Sequence, residues 1–296
     1  MRWQSGRDPA GRGQPRRSAS ILALTWRRFL RSPGGLLGLM LVTLLFATAV
    51  FAPWIAPYPP LQMDRGAIYA PPTGRHLLGA DELGRDILSR ILFGTRIVIL
   101  VCFSASAAAS VLGIGLGLVA AYSGGRVDNL AMRFADVLLS FPAFLLAIAL
   151  VAFLGASLIN IILVIALTRL PRYARLIRSS ALSVKQMEYV HASRSLGAGH
   201  VRIIGRHLLP NCLGPIVVYS TLTLGDSILT ISGLSFLGLG IQPPTADWGV
   251  MLARGKEYLL TAPWIAFFPG MAIFFTVMGF NLVGDSFRDA LDPRSS

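Results

Sequence analysis

Charged side chains, cysteine and histidine are scarce in this chain of 296 residues. Charged residues make up 14% of it, against about 25% in ordinary soluble proteins, and there are only two Cys and four His. Cys102 and Cys212 lie in segments expected at different depths, so no disulfide is predicted. No His stands at metal-ligand spacing to a Cys or to another His, so no metal site is predicted.

A nucleotide-binding loop is also missing from the sequence. There is no G-x4-G-K-[ST] motif, and neither Lys185 nor Lys256 follows a glycine-rich turn. We therefore expect a protein that is not an enzyme, with no catalytic residues and no cofactor of its own. If it works with ATP and Mg, partner subunits must bind them.

Apolar residues are what the chain has in abundance. They make up 54% of it, with a mean hydropathy of +0.62, which indicates a protein of the lipid bilayer. A helix of about 20 apolar residues is long enough to cross a bilayer. Charge-free runs of that length lie within 34–64, 97–125 and 258–284, and a fourth run, 216–240, is interrupted only by Asp226.

A fifth apolar stretch, 137–168, is too long for one straight span. If it held one span, the Arg-bearing segment that follows it would lie on the opposite side from the basic N-terminus, against the positive-inside rule. We therefore predict two spans, broken at Gly155. The prediction is an all-α membrane protein with six transmembrane helices and both termini cytoplasmic.

The net charge of +13 is assigned to the inner face of the membrane. The N-terminal arginines have no aromatic platform or DNA-reading motif beside them, so anionic lipid rather than nucleic acid is the expected partner.

The predicted organisation of the chain starts with a basic cytoplasmic tail (1–33), a first transmembrane helix (34–57) and an outer loop with an amphipathic helix (58–96). A five-helix core (97–286) with a cytoplasmic loop (178–215) follows, and then a cytoplasmic C-terminal tail (287–296).

The cytoplasmic loop carries a polar, Arg-rich insert, EYVHASRSLGAGHVRIIGRHLLPNCLGP. Tyr189, Ala192 and Leu196 mark one apolar face at helical spacing, and Gly197 begins the break. A second apolar face follows and ends at Pro210, so two short helices joined by a turn are predicted. Such an element suits docking into a cleft of a soluble partner. A solvated loop with no partner is the alternative.

Several of these residues match a known motif. Ala192, Gly197, Leu209 and Pro210 resemble the EAA motif of permease subunits of binding-protein-dependent ABC importers, although His191, Ser193 and His207 depart from it. The subgroup for dipeptides, oligopeptides and nickel is more similar, through residues 188–190, Arg194, 196–198 and 206–211. Residues 76–86 and 234–249 resemble the same subgroup, with Ile231 at a position that is usually acidic.

The resemblance, to the C-type permease of the pair, implies a type I importer permease fold in the plasma (inner) membrane of a prokaryote. It implies a second permease subunit, two ATPase subunits or domains and an extracytoplasmic substrate-binding protein. Residues expected to couple the chain to the ATPases are Glu188 and Arg194 (polar contacts), Ala192 (close approach), Gly197 (turn), Leu209, and Pro210 (helix termination).

The resemblance also suggests a surface for docking the binding protein, formed by Asp81, Gly84, Arg85, Asp86 and Trp248. The alternative is that this region merely caps the helix bundle. Asp226 lies deep in a span, where it either lines the translocation path and attracts a cationic group of the cargo or pairs with Ser227, Thr223 or a partner subunit.

The predicted function is import of dipeptides or oligopeptides driven by ATP. Nickel chelate, haem and glutathione remain alternative cargoes within the same class. A membrane assembly subunit with no transport role is the alternative from another class.

Overall fold

The computed structural model describes residues 21–291, which form helices joined by loops. The helices are α1 (Ile21–Arg31), α2 (Pro33–Ile55), α3 (Ile87–Ser123), α4 (Gly125–Leu139), α5 (Ala143–Leu154), α6 (Leu158–Lys185), α7 (Glu188–Ser195), α8 (His200–Ile203), α9 (Leu209–Phe236), α10 (Trp248–Gly255) and α11 (Trp264–Leu291). Residues Ile204–Leu208 form a π-helical turn that joins α8 to α9. Arg2, Arg7, Arg12, Arg16 and Arg17 of the predicted basic tail lie outside the described residues.

Four helices are long and apolar enough to cross a membrane: α2, α3, the continuous helix His200–Phe236, and α11. The pair α4 and α5 passes the same test together but bends by 88°, and it makes a fifth candidate. The predicted break in the 137–168 stretch is confirmed, since α5 ends at Leu154 and Gly155 adopts a positive φ of 89°. Because α5 has only 12 residues, the number of spans remains a prediction.

One predicted boundary is wrong. The sequence predicts an outer loop with an amphipathic helix that ends at residue 96, before the five-helix core begins. Instead, α3 runs unbroken for 37 residues from Ile87. Asp86 caps its start, with Oδ2 accepting from Ser89 N at 2.8 Å, and Ile87 is fully buried in the main core cluster.

A second correction concerns Pro210. The pattern predicts that a helix ends there, but Pro210 lies in the first turn of α9, which continues to Phe236. The π-helical turn immediately before it uses wider hydrogen bonds, such as Leu209 N to Ile204 O. A wider turn leaves room for a proline ring, which would clash with the carbonyl four residues back in a regular α-helix.

The core of the bundle is the contact between α3 and α6. A Cβ atom on Gly113 would press on Tyr173, and one on Gly117 would press on the carbonyl oxygen of Ala174. These two glycines therefore let α3 and α6 approach closely, whereas Gly115 faces open space. Close approach of α3 and α6 fixes the end of α6, from which the Arg-rich segment starts.

Candidate functional site

The Arg-rich segment, residues 186–211, is called the arginine loop below, and its base is fastened to α3. Lys185, the last residue of α6, donates from Nζ to the carbonyl oxygens of Ala121 and Tyr122 at 2.8 and 2.7 Å. These carbonyls belong to the last turn of α3, where no further helical N–H is available and a cation is favoured. The arginine loop therefore starts from a point that is held to two long helices.

The turn of the arginine loop depends on Gly197. Its φ is +82°, and the amides of Gly197 and Ala198 donate to the carbonyls of Arg194 and Ser193 at 3.0 and 3.1 Å. These are the two hydrogen bonds of a Schellman motif, which ends a helix with a left-handed residue. The predicted turn at Gly197 is confirmed, and α7 ends where the glycine requires it to end.

The returning segment is held against α7. Ser193 Oγ lies 3.2 Å from His207 Nε2, and Asn211 Nδ2 donates to Tyr189 Oη at 3.2 Å. Val190 and Ile203 are buried beneath these contacts, in a cluster with residues of α3 and α6. The arginine loop is therefore a packed body that shares a small core with α3 and α6.

The tip of the arginine loop points away from this core. The side chain of Leu196 is 88% exposed and that of Val201 is 86% exposed. The predicted coupling residues Glu188, Ala192, Arg194 and Pro210 are also exposed, while Leu209 is half-buried. The sequence pattern included Leu196 and Val201 in apolar faces but gave no sign that both would lie open on one tip.

Two ion pairs connect α6 to α4 below the arginine loop. Arg178 donates to both carboxylate oxygens of Asp128 at 2.5 Å, and Arg175 pairs with Asp136. Sequence reasoning missed these pairs because the partners are separated by about 40 to 50 positions. They link the base of the arginine loop to a third helix.

At the other end of the bundle, residues 56–86 form the long loop, where most of the proposed docking residues lie. Asp81 accepts from the amides of Leu83 and Arg85, both at 2.9 Å, and from Arg85 Nε at 2.7 Å. Asp86 lies 2.9 Å from His76 Nδ1. A Cβ atom on Gly84, whose φ is +72°, would overlap the carbonyl oxygen of Asp64.

The side chains of these residues are turned inward, which corrects the docking assignment. Asp81, Arg85 and Asp86 are 5% exposed or less, and Trp248 is 1% exposed, with Nε1 donating to Ile91 O at 3.0 Å. Side chains buried in their own chain cannot reach a partner. They give the long loop its shape, and the exposed residues beside them include Leu83 and Arg254.

Asp226 is paired, but not with the residues that the sequence suggested. Its Oδ2 accepts from Arg169 Nη1 at 3.2 Å, and Arg169 Nη2 donates to Thr230 Oγ1 at 3.0 Å. Ser227 and Thr223 instead donate to backbone carbonyls of α9. The sequence missed Arg169 because it was assigned to the cytoplasmic end of α6, whereas it lies eleven residues into that helix.

Comparison with known proteins decides the family. Residues 113–296 match the model of the binding-protein-dependent transport system inner membrane component, and residues 20–72 match the N-terminal transmembrane domain of oligopeptide transport permease C. The chain belongs to this family. The first match contains the whole arginine loop, so the loop lies in the part of the permease that defines the family.

Two curated relatives resemble this permease over nearly its whole length. The di/tripeptide transport system permease protein DppC of Pseudomonas aeruginosa (strain UCBPP-PA14) is 44% identical over 275 residues, which cover 91% of each chain. The glutathione transport system permease protein GsiD of Pectobacterium atrosepticum is 44% identical over 270 residues, 91% of this permease and 90% of the relative. The protein is therefore a permease subunit of an importer and not an ATPase.

A solved structure supports the fold of the permease. The crystal structure described as an amino acid ABC transporter with histidines aligns with a TM-score of 0.50 at 15% identity, covering 69% of this permease and 95% of the solved chain. This likeness concerns the fold alone. The family and the apolar helices together show that the chain is a multi-pass membrane protein of the transport permease class.

Proposed function

We propose that this permease forms half of the translocation path for dipeptides or oligopeptides and that the arginine loop couples the path to separate ATPase subunits. The observation that carries the coupling role is the exposed tip of Leu196 and Val201 on a packed base. Large apolar side chains left open at the end of a polar element mark a protein contact. The exposed Arg194 adds a polar contact beside that tip, and the exposed Glu188 adds one at the other end of α7.

The proposed mechanism is a rigid-body movement. When two ATPase subunits close on ATP and Mg, they draw this arginine loop toward that of a second permease subunit. The movement reaches α3 through Lys185 and α4 through Arg178, because each makes at least two hydrogen bonds at 2.5 to 2.8 Å. A packed loop with such attachments moves its helices rather than deforming, which suits a switch between two states.

The proposed topology has six spans with both termini cytoplasmic. It places the arginine loop on the cytoplasmic side, in accord with the positive-inside rule, and the long loop on the extracytoplasmic side. The binding protein would then contact exposed residues of the long loop and its neighbours, such as Leu83 and Arg254. A reporter fused after residue 291 and after residue 74 tests this, since the two fusions should report opposite sides.

The cargo proposal rests on the names of the two relatives. Both a di/tripeptide permease and a glutathione permease are 44% identical to this chain, so a short peptide is the shared cargo chemistry. Glutathione is the second candidate, since it is itself a tripeptide. Nickel chelate and haem have no support among these relatives.

The test of the coupling role uses Leu196→Asp with Val201→Asp in the complex purified from native membranes. We expect the second permease and the binding protein to remain associated, while recovery of the ATPase subunits falls at least about tenfold, as for loss of an apolar anchor. Leu260→Asp is the matched control, because Leu260 is fully exposed beside the long loop. Normal ATPase recovery with the double variant would refute the coupling role.

A further inference from the structure

We propose that Asp226, held in place by Arg169, is the site on the translocation path that receives the free ammonium group of a peptide or amino acid. This inference rests on the proposed transport of short peptides. It depends on the depth of the pair, on the exposure of its two members, and on the cavity next to it.

Asp226 lies well inside a helix that is long and apolar enough to cross a membrane, and Arg169 faces it from α6. Arg169 is eleven residues from the start of α6, about 16 Å along the helix, and Asp226 is ten residues from the end of α9, about 15 Å. The distance along α9, which belongs to a candidate membrane span, is close to half of a hydrocarbon core of about 30 Å. Ionisable residues at that depth face a bundle interior or a water-filled path rather than lipid.

The two members of the pair are exposed to different degrees. The side chain of Arg169 is 9% exposed, and its Nε has no hydrogen-bond partner among the described residues. The side chain of Asp226 is 52% exposed. The guanidinium group therefore stays inside the subunit and orients the carboxylate, while the carboxylate presents an open side to whatever lies against α9.

The face of α9 that bears Asp226 continues into a cavity. Tyr219, Leu222 and Asp226 are spaced by three and four residues, so they lie on one face of the helix. Tyr219 and Leu222 line a cavity of about 560 Å³ with Leu176, Pro215 and Val218. Such a volume accommodates a short peptide.

The chemistry of the cavity complements a peptide with a free amino end. Its walls are mainly apolar, which suits side chains of varied kinds, and the charged residue that lines it, Arg288, can pair with the carboxylate end of a peptide. Tyr219 Oη is buried without a hydrogen-bond partner among the described residues. Asp226 lies one turn beyond Leu222, and its carboxylate can bind an ammonium group. Every peptide or amino acid with a free amino terminus carries such a group.

Arg169 is a positioning residue in this arrangement. Its two Nη atoms bind Asp226 Oδ2 and Thr230 Oγ1, which fixes the carboxylate relative to α9. An ammonium group approaching from the cavity meets the exposed side of that carboxylate and need not displace the arginine.

The experiment reconstitutes the whole importer with its binding protein in proteoliposomes and measures uptake of radiolabelled alanyl-alanine and glutathione. We expect Asp226→Asn to lower uptake of the transported probe at least about tenfold, as loss of a charged hydrogen bond does. Stimulation of ATP hydrolysis by the loaded binding protein should persist. Asp226→Glu should retain more uptake than Asp226→Asn, because it keeps the carboxylate.

The double variant Arg169→Gln with Asp226→Asn separates cargo binding from helix packing. It removes both charges and so leaves no unpaired buried charge, which a pair that only joins α6 to α9 would tolerate. We expect uptake to stay as low as in Asp226→Asn. Thr221→Val is the matched control on α9, and it should transport normally. Within residues 21–291, Thr221 Oγ1 bonds only backbone carbonyls of its own helix.

Different failures refute different claims. Normal uptake by Asp226→Asn, or recovery in the double variant, overturns the ammonium site while the importer function stands. Loss of the second permease from both variants would instead place Asp226 in the interface between subunits, which also overturns the inference. Uptake of neither probe by the wild-type complex would refute the proposed cargo and the inference that rests on it.

Discussion

The long loop and the arginine loop both contain polar residues that resemble family motifs, yet the structure uses them in opposite ways. In the long loop Asp81, Arg85 and Asp86 are buried, with Asp81 paired to Arg85 and Asp86 paired to His76. In the arginine loop Glu188 and Arg194 are exposed. A specific polar motif therefore marks either a folded loop or a contact surface, and its partners within the chain decide which.

The same contrast exists between two glycines. Gly84 and Gly197 both have a positive φ, +72° and +82°. At Gly84 a Cβ atom would overlap the backbone of Asp64, whereas at Gly197 no atom lies within 4 Å of that position. Gly84 is therefore needed both for its positive φ and because a larger residue would clash with Asp64, whereas Gly197 is needed only for its positive φ.

The largest effect is expected for Gly84→Ala. The substitution combines an unfavourable φ with an overlap against Asp64 that a backbone carbonyl cannot relieve, so it should lower the Tm of the purified complex by about 10 °C. Differential scanning fluorimetry in detergent measures this. Gly74→Ala in the same loop is the control, because a Cβ atom there meets nothing within 4 Å. Equal Tm values for the two variants would contradict the assignment of Gly84.

A smaller effect on stability and a specific effect on transport are expected for Gly197→Val. A β-branched residue in a left-handed conformation costs about 1–3 kcal/mol, so the Schellman turn should open and α7 should lose its orientation. We expect transport to be abolished while membrane insertion and association with the second permease persist. Peptide uptake by proteoliposomes measures the loss of transport. Co-purification from membranes measures the association with the second permease.

Gly197→Asn sharpens that prediction, since Asn adopts positive φ more readily than other residues and should retain most of the uptake. Gly205→Ala is a control for added bulk in the same loop, because a Cβ atom at Gly205 also meets nothing within 4 Å. Full transport by Gly197→Val would contradict the turn argument.

How far the sequence predicted these regions follows from the range of the interactions involved. The turn at Gly197 and the break at Gly155 depend on local conformation, and the sequence located both. The pairs Arg169–Asp226 and Arg178–Asp128 join residues 57 and 50 positions apart, so only packing of α6 against its neighbours reveals them. The burial of Asp81 and Trp248 was missed for the same reason, because a motif records which residues occur and not where they point.

The smallest effect is expected for Pro210→Ala. Pro210 was predicted to end a helix, but it lies in a helix that continues through it, after a π-helical turn that already accommodates the ring. Alanine restores a backbone N–H and favours the helix, so the Tm should change by no more than about 2 °C and uptake should stay above about half of the wild-type value. Pro53→Ala, at an exposed position inside α2, is the matched control. A sharp fall in uptake with Pro210→Ala at unchanged Tm would contradict this expectation. It would show that the π-helical turn is the hinge between the arginine loop and α9, because Pro210→Ala, unlike Pro53→Ala, allows that turn to close into a regular helix.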